Sequence, residues 1–333
     1  MDVARKLIPQ PDERFYTARN EKFDRLACAE LERELPKRNT CEPWIVFSYA
    51  HSCRKLFHLA KEAGIRTVLG QFDPGPLQAD IADREHAAHP QFRTSWKRYS
   101  DSYVQAWWDE VRLADNVLVN STHSKDCLVR VGVPVEKIAT IPLVYLPPAT
   151  HNPERNYPRT FNRDRPLRVL FLGQVILLKG IARLIDAAKL LKDEAIDVRI
   201  VGPTNIDNLG DLCRGLPVNY VGSVPRDEVS REYQNADVFI LPTLSDGFAI
   251  TQLEALAWRL PVVTTTYCGE VVKNQVNGIA LSEPTAENIA NTLRQFLETP
   301  QRLAEMSRQA RPEDFGIDRL AAQLETLANR WTK

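Results

Sequence analysis

From Trp44 onward, short runs of β-branched and aromatic residues alternate with longer stretches of helical periodicity. Residues 44–49 (WIVFSY) read as a buried strand, 55–63 as a helix closed by Gly64, and 66–69 as a second strand. The polar, aromatic-rich stretch 79–114 reads as mainly helical. A strand over 116–120, a helix over 124–131 and a strand over 138–141 complete the run. This alternation predicts parallel α/β structure.

The texture then changes. Pro147, Pro148, Pro153, Pro158 and Pro166 fall among Asn and Arg residues. Proline fixes φ and removes a donor, so the stretch predicts a linker rather than core. A second α/β run follows, with strands at 168–172, 198–201, 218–221, 238–241 and 261–264. Its helices are expected at 180–191, 227–234, 249–259 and 286–298. Uninterrupted apolar strands such as VLFL and VFIL imply a sheet covered on both faces. The expected division is residues 1–157 with the linker, 158–316, and 317–333. The last part holds a helix over 319–331 that is a candidate to cross back onto the first domain.

Length and composition narrow the function. A chain of 333 residues is comfortable for two domains. Lys plus Arg equals Asp plus Glu at 43 each, which removes the electrostatic footprint of a general nucleic-acid binder. Cys28, Cys41, Cys53, Cys127, Cys213 and Cys268 are widely spaced and suggest neither a zinc ribbon nor a disulfide scaffold. The polar N-terminus does not read as a signal peptide, and the longest apolar stretch, 169–178, is broken by Gly173 and Gln174. A cytoplasmic protein is expected, with peripheral membrane contact left open.

Ligands of open parallel sheets bind beyond the carboxyl ends of the strands. Two turns of the second half stand there. In FLGQVILLKG, Gly173 allows close approach to the backbone, and Lys179 sits at the entry to the next helix. A cation is disfavoured at that end of its own helix and makes better sense with an anion present. Taken alone, it reads as a solvated surface lysine. In LPTLSDGFAITQLEALAW, Asp246 precedes a helix expected to begin near Ala249, and Glu254 lies eight residues further on. Free N–H groups at that helix start suit a diphosphate. Asp246 is equally a capping carboxylate. Glu254 stands in an apolar helix and needs donors, which a ribose diol would supply.

At these turns the sequence resembles a family 4 glycosyltransferase, a retaining enzyme of the GT-B fold. The resemblance covers about residues 44–331 and is strongest over 168–278. The family's Gly-Arg and Lys-Gly pattern appears as FLGQVILLKG, with Gln174 in place of Arg. Its E-G-F-G-x-x-x-x-E-A pattern appears as DGFAITQLEA, with Asp246 and Ala249 replacing Glu and Gly. YVGSVPRDEVSREYQNADVFILP matches the element before it. The resemblance implies two Rossmann-like domains facing a cleft and a nucleoside-diphosphate sugar as donor. Lys179, with Gln174 and Gly173, would bind the diphosphate, and Glu254 the ribose. Asp246 with the backbone of Gly247, Phe248 and Ala249 would hold the sugar. The loop carrying Val224 would meet the nucleobase. Lys179 and Asp246 would serve catalysis by stabilising the leaving diphosphate and placing the sugar. No Asp-x-Asp pattern occurs, so no metal or other cofactor is expected.

The first half departs from the pattern. Nothing before Trp44 reads as the strand, glycine-rich loop and helix with which the family opens, so an incomplete N-terminal domain is expected. Gln71 stands near the family's usual histidine, with Asp73 beside it. His51 reads as a structural hydrogen-bonder. Glu270, in a shortened form of the G-G-x-x-E region, either touches the acceptor or caps a helix. The acceptor is left open among a carbohydrate, a lipid-linked and a small-molecule hydroxyl. Competing readings are a nucleotide-sugar epimerase and a non-catalytic binding subunit.

Overall fold

The structure, a computed structural model, describes residues 13–39, 41–147 and 154–331. Two parallel sheets organise the chain. The first contains β1 (Ile45–Tyr49), β2 (Arg66–Gln71), β3 (Asn116–Val119) and β4 (Ile138–Thr140), side by side in sequence order. Helices α1 (Glu13–Glu34), α2 (Arg54–Glu62), α3 (Leu77–Ala88), α4 (Asp101–Leu113) and α5 (Thr122–Arg130) accompany it.

The second sheet is built from β5 (Leu167–Leu172), β6 (Ile196–Val201), β7 (Val218–Gly222), β8 (Val238–Leu241), β9 (Val262–Thr265) and β10 (Gly278–Leu281). Its order is β10-β9-β8-β5-β6-β7. Around it lie α6 (Ile181–Leu190), α7 (Leu209–Cys213), α8 (Val229–Asn235), α9 (Thr251–Ala257), α10 (Ala286–Glu298), α11 (Gln301–Gln309) and α12 (Ile317–Trp331). Strand β8 is fully apolar and buried, and β5 is apolar apart from the exposed Arg168, as a doubly covered sheet requires. All pairings in both sheets are parallel.

This order decides where the site lies. The chain runs from β5 outward through β6 to β7, then returns to β8 on the other side of β5. The loops leaving β5 and β8 therefore diverge at the switch point and leave a crevice between them. Leu244 N–H donates to Leu178 O across it at 2.9 Å. Gly180, at φ +78°, comes so close to Pro242 that a Cβ there would stand 2.0 Å from the Pro242 carbonyl oxygen.

Several elements escape the sequence pattern. Helix α1 buries only Asp24 and Leu31, so its apolar periodicity is faint. Its contribution is tertiary: the Asp24 carboxylate accepts the N–H groups of Lys55 and Leu56 at 2.9 Å each, capping α2 where Cys53 supplies no side-chain cap. The stretch 79–114 is not helical throughout. Between α3 and α4 the chain opens, Phe92 enters the core of the second sheet, and Thr94 pairs with Ile206. Strand β10 (Gly278–Leu281) was not expected from the sequence pattern. The expected helix over 249–259 narrows to α9. Pro148 and Pro153 of the linker lie outside the described residues. Beyond them, Arg155 donates to the carbonyls of Tyr233, Ala236 and Trp258 at 2.5–2.6 Å and ties the linker to the second sheet.

Candidate active site

Topology brings the two singled-out turns into contact. Lys179, at the end of the β5 loop, ion-pairs with Asp246, at the end of the β8 loop, and both side chains are largely shielded. The Asp246 carboxylate also accepts the N–H groups of Phe248 at 3.3 Å and Ala249 at 3.2 Å. It thus closes the turn before α9 and partners the lysine, but it does not cap the helix, whose N-cap is Ile250 with no side-chain cap. The N–H groups expected to be free for an anion are engaged by Asp246, because the helix starts later than its sequence suggests. Ala249 takes φ +62° and α9 begins at Thr251. Left-handed backbone favours glycine over any residue with a Cβ. Ala249→Gly is therefore expected to raise stability by roughly 0.5–1 kcal/mol, the gain being reduced by glycine's larger unfolded-state entropy. The midpoint of a urea titration reads it, and a lower midpoint contradicts it.

Glu254 lies half-buried on α9 and accepts the Tyr233 hydroxyl at 2.6 Å on Oε2. Burial, and after it the Glu254 charge, hold the Tyr233 phenol well above its ordinary range, so it stays a donor. Tyr233, the partner of Glu254, was not singled out from the sequence, because it comes from α8, a different element. Gly173 (φ +151°) faces open space, as expected for close approach by a ligand. Its carbonyl abuts Gly202 so closely that a Cβ on Gly202 would stand 1.8 Å from it. Gly202 shares the loop edge with Gly173 through β6 pairing and was also missed. Gln174 is exposed, and Val224 packs at the end of edge strand β7 against the core.

The first sheet reaches the same crevice. Asp73 follows β2 and accepts from Gly75 N–H at 2.8 Å and Gln71 Nε2 at 2.6 Å. Burial raises its pKa, Asp246 adds to the rise, and Lys179 opposes it. Gln71 itself lies in the core rather than in the cleft. Its amide oxygen accepts Trp107 Nε1 at 2.8 Å, so it orients Asp73 and is not open to a ligand. Gly247 meets the first sheet's side directly: a Cβ there would stand 1.9 Å from Phe72 O. The close approach this glycine permits is between the two halves of the molecule. Phe248 turns its ring into the core against Phe315, leaving only its backbone at the crevice. Ser245 adds two cross-links, its carbonyl to Gln78 at 3.3 Å and its hydroxyl to His123 at 3.1 Å.

Glu270 points at the start of α5, accepting Thr122 N–H at 3.5 Å, which is the helix-capping alternative. It lines a cavity of about 880 Å³ between α3, α5 and the β9–β10 loop, together with His123, Tyr267, Arg84 and Arg183. Lys179, Asp246 and Glu254 do not line that cavity.

His51 is structural, as expected, but through its backbone N–H and the stacking of its ring. At φ +71° its N–H bonds to Glu110 and its ring stacks on Tyr103 with centroids 4.2 Å apart. Burial pushes its imidazole down to about 4. The unfolded chain takes up this proton near pH 6.5 and the folded chain does not, so stability is full above that pH and falls as pH drops towards 4. The His51 share between pH 7 and pH 5 is about 2 kcal/mol. His51→Asn, which tolerates left-handed backbone, should flatten that loss in urea titrations at the two pH values. Equal losses in both proteins would remove His51 as the source.

Comparison with known proteins bears on the fold that carries this crevice. Residues 154–313 match the family described as "Glycosyl transferases group 1". The matched residues take in the second sheet and helices α6 to α11, so this part of the chain is similar to that family. An uncharacterized glycosyltransferase of Methanocaldococcus jannaschii, MJ1607, is 35% identical over 136 residues, 38% of this chain and 35% of that protein. The putative colanic acid biosynthesis glycosyltransferase WcaL of Escherichia coli (strain K12) is 27% identical over 275 residues, 76% of this chain and 65% of that protein. The chain spans less than half the length of the first curated relatives it matches. Among solved structures, Anabaena Alr3699/HepE in complex with UDP superposes with a TM-score of 0.64 at 16% identity, covering 92% of this chain and 82% of that one. The fold is that of the GT-B glycosyltransferases. Among the described residues, no helix is long and apolar enough to cross a membrane.

Proposed function

We propose that this chain is a retaining, family 4-type glycosyltransferase of the cytoplasm, moving a sugar from a nucleoside-diphosphate donor to an acceptor hydroxyl without a metal. The observation that carries the reading is the Lys179–Asp246 pair at the switch point of the second sheet, with Asp73 facing it from the first. Without ligand, the lysine neutralises the carboxylate. With donor bound, the diphosphate takes Lys179, and Asp246 turns to the sugar hydroxyls. Gly173 and Gln174 flank the diphosphate, Glu254 takes the ribose diol beside Tyr233, and the loop carrying Val224 meets the base. The acceptor oxygen bonds to the anomeric carbon as the bond to the diphosphate oxygen breaks, and the acceptor hydroxyl's proton passes to the departing diphosphate. Lys179 stabilises the charge that develops on the leaving group. The acceptor approaches from the Asp73 side, and a carbohydrate or lipid-linked hydroxyl fits the names of the relatives, one of which acts on a diphospho-undecaprenol sugar.

Calorimetric titration with UDP, GDP and ADP in EDTA tests the donor site. UDP is the first choice, because the structural neighbour HepE was solved with UDP and with UDP-glucose. Saturable binding of one nucleotide, followed by sugar transfer to an added acceptor, is the expected result. Donor isomerisation without transfer indicates an epimerase, and binding without turnover a binding subunit. No binding at all overturns the donor site.

A further inference from the structure

The first sheet carries an aromatic surface that the donor site leaves unused. Phe47, Tyr49 and Phe72 are 47%, 56% and 51% exposed, although strands of parallel sheets are ordinarily covered on both faces. Their rings meet edge to face, Phe47 with Tyr49 at 5.3 Å and Tyr49 with Phe72 at 6.4 Å between centroids. Gly70 makes this possible: a Cβ there would stand 2.6 Å from the Phe47 ring and 2.9 Å from that of Tyr49. Perpendicular rings over a bare glycine form a shallow corner rather than a flat patch.

The corner adjoins the reaction centre. Phe72 is the residue whose carbonyl abuts Gly247, one position from Asp246, and Asp73 follows it in the chain. Tyr99 and Tyr103, stacked at 4.6 Å, lie close enough to Asp73 to feel its charge. We infer that Tyr49 and Phe72 form an acceptor subsite that receives a neutral sugar ring, with Asp73 beside it for the hydroxyls. The inference rests on the transferase reading above. A pyranose has an apolar C–H face that gains from packing on aromatic carbon and a rim of hydroxyls that needs acceptors. Phosphate-bearing surfaces fit this place badly. Burial first, then Asp73, Tyr16 and Glu13, raises the Tyr99 hydroxyl, and burial, Tyr99, Asp73, Glu110 and Glu13 raise that of Tyr103, so both feel negative charge from Asp73 and Glu13.

Because both side chains are exposed, Tyr49→Ala and Phe72→Ala should leave the fold intact, which melting curves check. The probes are methyl α-glucoside, methyl α-galactoside, methyl α-mannoside and N-acetylglucosamine, measured by saturation-transfer NMR and titration without donor. At least one should bind the unaltered protein and weaken about tenfold or more in each variant, with nucleotide affinity unchanged. The subsite is overturned if none of the four binds, or if binding survives both substitutions. It is also overturned if light scattering shows a dimer that the variants dissociate, or if the unaltered protein but not the variants sediments with phosphatidylglycerol vesicles. Glycoside binding without nucleotide binding would instead remove the donor reading and leave the aromatic subsite standing.

Discussion

Lys179→Ala is expected to weaken nucleoside-diphosphate binding by about 100-fold. The lysine is largely shielded, and its charge is committed to Asp246 in the absence of ligand. A charge-assisted hydrogen bond in such a place contributes ~1.5–3 kcal/mol, and 2.7 kcal/mol is a factor of 100. Removing the ammonium also leaves the Asp246 carboxylate, whose charge already acts on Asp73, without its counter-ion, so an incoming diphosphate meets an unbalanced negative charge instead of an ion pair. Gln174, an amide where the resemblance would place an arginine, cannot replace the charge. Titration of the variant against the preferred nucleotide measures the effect. Lys179→Arg, which keeps the charge but not the shape, should recover part of it. Unchanged affinity in a folded Lys179→Ala protein removes this residue from the donor site.

Gly247→Ala is expected to separate binding from turnover. Its Cβ would stand 1.9 Å from Phe72 O, backbone against backbone, where no rotamer change relieves the clash. The available relief is to part the two halves, at the expense of the Ser245 and Gly247 contacts to Gln78, His123 and Ser124. Nucleotide affinity depends on the second sheet's loops and should change by no more than a few-fold. Turnover needs Asp73 and the acceptor side in place, and a displacement of about 1 Å costs roughly 100-fold in rate. Paired calorimetry and initial rates distinguish the cases. A variant that keeps its rate shows that the contact at Gly247 does not set the catalytic geometry.

The fold was legible wherever burial wrote itself into composition. VLFL and VFIL are apolar on both faces because both faces are covered, and the strands stand where those runs stand. Helix α1 was not legible, because a helix that buries one leucine and one aspartate leaves no stripe. The break after α3 escaped for a related reason. Phe92 serves the core of the other sheet, so its neighbours in sequence carry no trace of its environment.

The site divides in the same way. Lys179, Asp246 and Glu254 were readable as chemistry out of place: a cation at a helix entry, and carboxylates at and inside an apolar turn. Partners were not readable. That Asp246 occupies the N–H groups of Phe248 and Ala249, that Tyr233 holds Glu254, and that Gln71 serves Asp73 from within the core all depend on elements distant in sequence. The sequence by itself determined the α/β class, the strands of both sheets except β10, and the residue types at the crevice, because local periodicity and composition record which positions are buried. Only the tertiary structure decided the strand order that sets β5 beside β8, the glycine contact that joins the halves, and the aromatic corner left open beside Asp73. Those are relations between surfaces, and no single stretch of chain encodes both sides of one.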